Sequence, residues 1–262
     1  MKTTETIADK PDTTHNLRPD QTVAEIVIQH PQLRARLEQL GIDYCCGGKR
    51  SLKDAISVAG LELKTVLGEL EQRLHQEQGA TATTTDWTAV PLTVLADHIL
   101  DTHHVFTKTQ LARIDILLAK VQNAHRTQHG TMLDSLRDAF DPIRAELEAH
   151  LMKEEDILFP AIKGIDGFMS GRNAKPFVHC GSIANPIQQM EHEHDSAGEI
   201  LVKMRKITEN YTLPDDACQT FQALYEALEA LEADLHEHIH LENNILFPAS
   251  IRQEQRMNAS PN

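Results

Sequence analysis

The chain has 262 residues, of which 40% are hydrophobic but only 4% aromatic, and its formal net charge is -14. This length allows one large domain or two smaller ones, and the low aromatic content favours a helical protein packed with Leu, Ala and Ile over a β-sandwich. The negative charge argues against nucleic acid and anionic membrane surfaces as partners.

Targeting segments and disulfide frameworks are not expected either. The beginning of the chain lacks the apolar core of a signal peptide, and no run of about 20 apolar residues predicts a membrane span. The four cysteines, two of them adjacent, do not resemble a secreted disulfide framework. We therefore expect a soluble, cytoplasmic protein.

The amino-terminal part of the chain predicts a small helical domain between a tail and a linker. Residues 1–18 have no periodic apolar face, which predicts a disordered tail. Short helices are predicted within residues 19–75, where Thr22 and Ser51 are in position to cap two of them. The polar, Thr-rich residues 76–86 predict a linker.

A cysteine-containing loop, Asp43-Tyr44-Cys45-Cys46-Gly47-Gly48, lies within this small domain. A disulfide between adjacent cysteines distorts the peptide that joins them, so such a bond is strained and easily reduced. The two glycines allow a tight turn that keeps the sulfur atoms accessible. The alternatives are a redox switch, a ligand for iron or an iron–sulfur cluster, a contact point for a partner, and two small buried hydrophobic residues.

Residues 87–252 predict four long helices that pack as an antiparallel bundle, so the expected fold class is all-α. Pro160 and Pro248 are expected to end the second and fourth helices. The predicted elements are helix 91–123, polar turn 125–130, helix 132–158, long loop 163–185, helix 186–210 and helix 215–246.

The bundle region contains one segment twice, at an offset of 88 residues. Residues 150–161 read HLMKEEDILFPA and residues 238–249 read HIHLENNILFPA, so seven of twelve positions are identical. Each copy has a His and a Glu four residues apart, which places the two side chains on one face of a helix. We interpret the shared Ile-Leu-Phe-Pro as packing that buries the end of the helix and holds these side chains.

Each half of the bundle also supplies a histidine from its preceding helix. His104 precedes His150 by 46 residues, and His194 precedes His238 by 44. Four imidazoles and two carboxylates suit a pair of metal ions bridged by the glutamates, and a donor set without thiolate favours iron or manganese over one tetrahedral zinc ion. The predicted ligands are His104, His150, Glu154, His194, His238 and Glu242.

The remaining histidines and cysteines are not assigned to this site. His125 and His129 lie in the predicted turn, where a solvated side chain is the ordinary case, and Cys180 and Cys218 are interpreted as incidental. Five further histidines have either a supporting or a surface role: His98, His103, His192, His236 and His240.

Three segments give the chain a resemblance to a known family: the loop 43–48, residues 150–160, and residues 193–198 together with 238–248. Residues from about 90 to 250 resemble the haemerythrin-like domain, and the chain from about 20 to 250 resembles the repair-of-iron-centres family. The resemblance implies two iron ions, oxo- or hydroxo-bridged, held by the six residues above. It places the ligand of the first helix on His104 rather than His103, and it favours a redox or thiol function for Cys45 and Cys46.

Members of that family restore iron–sulfur clusters damaged by nitrosative or oxidative stress. The resemblance therefore implies damaged iron–sulfur proteins as partners and nitric oxide or oxygen as a small ligand. It leaves two routes open, donation of iron and processing of nitric oxide, the second of which is an enzymatic activity like that of a nitric oxide reductase. A homodimer is compatible with these expectations.

The alternative function is a non-enzymatic sensor or carrier of oxygen or nitric oxide of the haemerythrin type. Oxygen-carrying haemerythrins end with a His-x4-Asp pair, whereas this chain has His-x3-Glu twice, which disfavours the carrier. A ferritin-like iron store is a third class, but it favours Glu-x2-His spacing.

Overall fold

The computed structural model describes residues 17–76, 85–178 and 181–259, and it confirms the all-α prediction for them. Residues 1–16 of the predicted tail (1–18) and residues 77–84 of the predicted linker (76–86) lie outside the described residues. Contacts divide the described chain into two compact units, one with residues 17–43 and 49–76 and one with residues 44–48 and those from 85 onward. None of the described helices is long and apolar enough to cross a membrane.

The small unit is built from short helices with capped beginnings. The Thr22 hydroxyl accepts the Glu25 N–H at 3.1 Å while the Glu25 carboxylate accepts the Thr22 N–H at 3.0 Å, which is a complete capping box. Ser51 caps another helix by accepting the Asp54 N–H. An isolated antiparallel pairing joins Thr22 to Ser51, so the two helix beginnings fix each other. The elements are α1 (Val23–Gln29), a 3₁₀ turn (Pro31–Leu33), α2 (Arg34–Gln39), α3 (Leu52–Val58) and α4 (Leu63–Gln76).

The larger unit contains the four-helix bundle, whose long helices are interrupted by three π-helical turns. Its elements are α5 (Leu92–His98), π turn Ile99–His104, α6 (Val105–Lys153), π turn Glu154–Leu158, α7 (Phe159–Met169), α8 (Ala184–Ile207), α9 (Gln219–Leu241), π turn Glu242–Leu246 and α10 (Phe247–Ala259).

The predicted polar turn between the first two bundle helices was wrong in extent. Helix α6 has non-helical backbone angles only at His125 (φ -113°, ψ 17°), so its two arms, 105–124 and 126–153, meet at a single residue. Side chains placed in the predicted turn, such as His129, are therefore held on a helix. The consequence is that their positions are fixed by the bundle.

Pro160 and Pro248 do not end their helices, contrary to the sequence-based expectation. Each proline comes shortly after a π turn. Before Pro160 the N–H of Phe159 donates to the carbonyl of Glu154, five residues earlier. Before Pro248 the N–H of Phe247 donates in the same way to the carbonyl of Glu242. The residue after each π turn is where the hydrogen bonding returns from the π to the α pattern. A proline tolerates this position because it has no N–H that would be left without an acceptor. The helices therefore continue past the prolines, and the long loop begins only after Met169.

An apolar core fills the part of the bundle between the His125 break and the level of His150. Leucines spaced three and four residues apart on α9 face leucines and isoleucines of both α6 arms and of α8. Full burial of such a side chain contributes about 1.5–3 kcal/mol. The central members include Leu111, Ile114, Leu118, Leu136, Phe140, Ile143, Leu201, Leu224, Leu228 and Leu231.

Candidate metal centre

The six residues predicted from the repeat converge in one buried cluster of the bundle. Each is at most 3% exposed. Their ligand atoms form two groups of four, and within each group all atoms lie within 4.8 Å of one another. Glu154 and Glu242 belong to both groups, with His104 and His238 in one and His150 and His194 in the other.

Each shared carboxylate faces one histidine of each group. Glu154 Oε2 lies 3.4 Å from the Nε2 atoms of His104 and His150. Glu242 approaches His238 Nε2 at 3.0 Å through Oε1 and His194 Nε2 at 3.2 Å through Oε2. This is the arrangement of two carboxylates between two imidazole pairs, and it fits two neighbouring cations.

The π turns set the positions of several of these side chains. Glu154 and Glu242 are the first residues of two π turns, and His104 is the last residue of the third. A π turn inserts one additional residue into a helix and re-aims the side chains around it, and such turns are frequent at functional sites. His150 and His238 lie in the last turns of α6 and α9, just before a π turn, and His194 is in the middle of α8.

Acidic side chains orient two of the imidazoles from outside the cluster. His104 Nδ1 donates to Glu155 Oε1 at 2.9 Å, and Lys108 holds the same carboxylate. His150 Nδ1 donates to Glu193 Oε2 at 2.8 Å. A proton fixed on Nδ1 leaves Nε2 as the lone-pair atom that faces the centre, which is the usual support of a metal-bound histidine.

A neutral amide orients the third imidazole. His194 Nδ1 donates to Asn243 Oδ1 at 2.9 Å, whereas His238 Nδ1 has no hydrogen-bond partner among the described residues. The ring of His238 is stacked on His103, with centroids 5.5 Å apart. His103 itself lies outside both groups and contacts Asp234 through Nδ1 at 2.9 Å.

The repeated Ile-Leu-Phe-Pro run packs beside the cluster, as expected. The Phe159 ring lies 5.5 Å from that of His104, and the Phe247 ring lies 6.2 Å from that of His194 and parallel to it. Both phenylalanines are completely buried. The run therefore shields the imidazoles from water.

Several polar atoms in the cluster have no hydrogen-bond partner among the described residues: both Glu154 oxygens, Glu242 Oε2 and His104 Nε2. Burying a polar or charged group without a partner costs several kcal/mol. Two cations, one in each group of four ligand atoms, would give these atoms partners. The donor set is hard and borderline, nitrogen and oxygen only, and it fits a divalent first-row metal such as iron or manganese.

The imidazoles keep the buried carboxyls ionised. Burial and the second carboxylate raise the pKa of Glu154, but His150 and His104 outweigh them, and the net pKa is lowered. Burial also raises the pKa of Glu242, and His238 and His194 lower it well below its usual value. Both side chains are therefore available as anionic ligands near neutral pH.

The pKa values of His150 and of its outer partner Glu193 are shifted in opposite directions, and both shifts favour the charged form. Burial alone would lower the pKa of His150, but Glu154 raises it to about 9. Burial raises the pKa of Glu193, but its hydrogen bonds, first of all from Lys153, lower it to about 2. A metal ion must therefore displace a proton from His150.

The cysteine loop has its contacts in the bundle unit, although the sequence placed it in the small domain. Cys45 Sγ and Cys46 Sγ are 3.9 Å apart, so no disulfide joins them. The Asn243 side chain donates to the Cys45 carbonyl at 3.4 Å, and Asn244 donates to the Tyr44 carbonyl at 3.1 Å. Because Asn243 also accepts from His194, hydrogen bonds connect the loop to the cluster.

The sequence analysis missed the outer residues Glu155, Glu193 and Asn243. Each is the sequence neighbour of a predicted ligand, but it supports a histidine of a different helix. Adjacent residues of a helix point about 100° apart, so one reaches the centre while the other reaches sideways. A polar residue beside Glu154, His194 and Glu242 was the signal that could have identified them.

Comparison with known proteins covers both units. A family model described as Hemerythrin HHE cation binding domain matches residues 95–250, and a model of a domain of unknown function (ScdA_N) matches residues 19–74. The Iron-sulfur cluster repair protein YtfE of Dickeya chrysanthemi is 36% identical over 235 residues, which cover 90% of this chain and 98% of that protein. The proteins of the same name from Salmonella paratyphi B and Salmonella newport are 35% identical with the same coverage.

We expect the metal-free protein to lose stability as the pH rises from 6.5 to about 9, because the pKa of His150 is raised over this interval on folding. The bound proton stabilises the folded state fully below pH 6.5, and this contribution, about 3 kcal/mol, is lost above the folded-state pKa. Denaturant unfolding at several pH values should show a flatter profile in His150→Asn than in the wild type.

The exposed His192 is the control for this measurement, and His192→Asn should retain the wild-type slope. Equal slopes in the wild type and in His150→Asn would contradict the prediction.

Proposed function

The chain belongs to the repair-of-iron-centres family of iron–sulfur cluster repair proteins with a haemerythrin-like domain, and we propose that it repairs damaged iron–sulfur clusters with the help of two iron ions in its bundle. The main support for this proposal is that Glu154 and Glu242 belong to both groups of four ligand atoms. Two ions that share both carboxylates satisfy all six side chains, whereas one ion would leave a histidine pair unused.

We infer that His104, His150, Glu154, His194, His238 and Glu242 are the iron ligands. Iron with nitrogen and oxygen ligands can exchange electrons and bind nitric oxide or oxygen at positions that the protein leaves open. The chain supplies ionised carboxylates, imidazoles with a fixed Nδ1 proton, and phenylalanine rings that exclude water. These residues hold the ions without a thiolate.

A surface cleft beside the cluster supports iron donation as the route of repair. It lies next to His150, because its wall includes Glu193, the hydrogen-bond partner of that histidine. Lys153 in the same wall pairs with Glu193, so the attraction of the cleft for a cation rests mainly on Glu146. The lining residues are Glu146, Ala149, Lys153, His192, Glu193 and Ser196.

The cysteine loop favours repair over simple reversible binding of oxygen or nitric oxide. A carrier or sensor needs only the buried metal centre, whereas here hydrogen bonds through Asn243 tie the Cys45 backbone to His194. Thiols are soft ligands that exchange iron or nitric oxide with a partner. We infer that Cys45 and Cys46 receive or deliver such species during repair after nitrosative or oxidative damage.

Replacing His150 or His238 by Ala should lower the iron content of the purified protein to one ion per chain or fewer. Each change removes one nitrogen from an ion that has few protein ligands, and it leaves the shared carboxylates less well neutralised. Iron is measured by elemental analysis against protein concentration. The exposed His75→Ala is the control, and complete iron loading of a His150→Ala, His238→Ala double variant would refute the assignment.

Glu154→Gln and Glu242→Gln should each weaken the magnetic coupling between the two ions. A shared carboxylate connects the ions, so the diferric wild type should be nearly silent in electron paramagnetic resonance. Glutamine keeps the volume but removes the charge, and signals of uncoupled ferric iron or a loss of iron should follow. Glu148→Gln, on the same helix and outside the cluster, should resemble the wild type. Unchanged coupling and iron content in both variants would place these glutamates outside the iron coordination.

The double variant Cys45→Ala, Cys46→Ala should retain its iron but repair clusters several-fold more slowly. The measurement is the recovery of a cluster-dependent enzyme after separate treatment with nitric oxide and with an oxidant, alongside nitric oxide consumption by the protein alone. Lys53→Ala, on the surface of the small unit, is the control. If the double variant repairs both kinds of damage at the wild-type rate, the thiols are structural. If neither protein restores any enzyme while both bind nitric oxide reversibly, the sensor or carrier alternative holds.

A further inference from the structure

Four side chains with metal-binding groups meet at the end of the bundle opposite the six-residue cluster. His125 and His129 come from α6, and Asp216 and Cys218 come from the segment just before α9. Ligand atoms of His125, His129 and Asp216 all lie within 4.8 Å of one another. His125 Nε2 lies 3.2 Å from Cys218 Sγ, and His129 Nε2 lies 2.8 Å from Asp216 Oδ1.

The backbone and the core hold the two imidazoles in place. His125 is the residue at which α6 changes direction, and His129 follows it by one helical turn. The Phe221 ring packs edge-on against both, with centroids 5.2 Å and 5.8 Å away. His125 is buried, whereas Asp216 and Cys218 are exposed, so the group opens to solvent on one side.

We call His125, His129, Asp216 and Cys218 the distal group. It is separate from the proposed iron site. His104 and His125 are 21 residues apart on one helical path, which corresponds to about 30 Å at the rise of an α-helix. The apolar core described above fills the space between them. No residue belongs to both groups, so neither site needs the other for its ligands.

We propose that His125, His129, Asp216 and Cys218 form a second metal site, for one zinc ion. His125 and His129 are four residues apart, a spacing that recurs in zinc sites on helices, and although His125 lies at the break in α6 the two ring centroids are 6.0 Å apart. Two imidazoles, a carboxylate and a thiolate complete a tetrahedral set, whose ligand atoms are about 3.3–3.6 Å apart when zinc occupies the centre. The His129–Asp216 and His125–Cys218 separations of 2.8 and 3.2 Å are close to these values, and the Cys218 side chain would have to turn toward His129 and Asp216 to complete the set.

The donor types distinguish this site from the one that we assign to iron. The six-residue cluster offers nitrogen and oxygen only, and it is completely buried. The distal group adds a thiolate, a ligand preferred by zinc and other borderline or soft ions. It also joins the junction of the two α6 arms to the segment before α9, so a bound ion would act as a structural clip.

The test uses the iron-loaded, full-length protein, with Zn²⁺ and Co²⁺ as probes. We expect one zinc ion per chain in addition to the iron, and a rise in Tm on zinc addition. Co²⁺ in the same site should give the intense visible bands of tetrahedral coordination and a near-ultraviolet thiolate charge-transfer band. Cys218→Ser should abolish that charge-transfer band.

His129→Gln and Asp216→Asn should weaken zinc binding by more than the about 10- to 100-fold that is typical of outer-sphere substitutions. Asp215→Asn, an exposed neighbour outside the group, should bind zinc like the wild type. The Cys45→Ala, Cys46→Ala variant should keep the cobalt band, because its thiols belong to another site. Unchanged iron content and helicity in all variants will show that the bundle is intact.

Wild-type zinc affinity in a His129→Gln, Asp216→Asn, Cys218→Ser triple variant would overturn the proposal. An unchanged cobalt spectrum in Cys218→Ser would also overturn it, as would the absence of any zinc binding by the wild type. In those cases the four residues form only a hydrogen-bonded junction. These outcomes are independent of the iron content of the bundle.

Discussion

Complete burial of two carboxylates is the constraint on which the larger unit depends. Glu154 and Glu242 lose all contact with water, so their charge must be balanced inside the bundle. Four imidazoles provide the nearest balance, and outer acids such as Glu193 hold some of those imidazoles in turn. Lys153 and Lys108 then hold the outer acids at the edge of the bundle. Negative and positive groups thus alternate in layers from the centre to the surface. A pair of cations at the centre would balance the charge of the two buried carboxylates.

The two copies of the repeated segment differ at the position after the inner glutamate, and the cysteine loop gives a physical reason. The first copy has Glu155, which accepts from His104. The second has Asn243, which accepts from His194 and at the same time donates to the Cys45 carbonyl. An ionised carboxylate cannot donate a hydrogen bond, so a glutamate here would leave that carbonyl without this donor. The asymmetry of the repeat therefore serves a contact that only one half of the bundle makes.

The fold class followed from the sequence, and the duplicated spacing, which constrains helix faces directly, singled out six side chains that the structure brings together. Their role as iron ligands stays a prediction. Helix ends were predicted poorly at Pro160 and Pro248, where a π turn absorbs the missing hydrogen bond. The distal group could not be predicted, since His125 and Cys218 are 93 residues apart and meet only through tertiary packing. His129 was assigned to a turn on account of its polar neighbours, although the helix continues through it.

Separation by depth and donor chemistry would allow one bundle to hold the two kinds of metal that we propose. At the buried end, imidazole and carboxylate surround a space closed by Phe159 and Phe247, so an ion there is protected from water and from competing thiols. At the opposite end, Cys218 lies at the surface, where an ion can enter without opening the core. About 30 Å of helix separates the two ends, and the apolar core fills most of the space between them. An ion that prefers sulfur would find its thiolate only at the end with Cys218, whereas the buried residues offer nitrogen and oxygen to a harder ion.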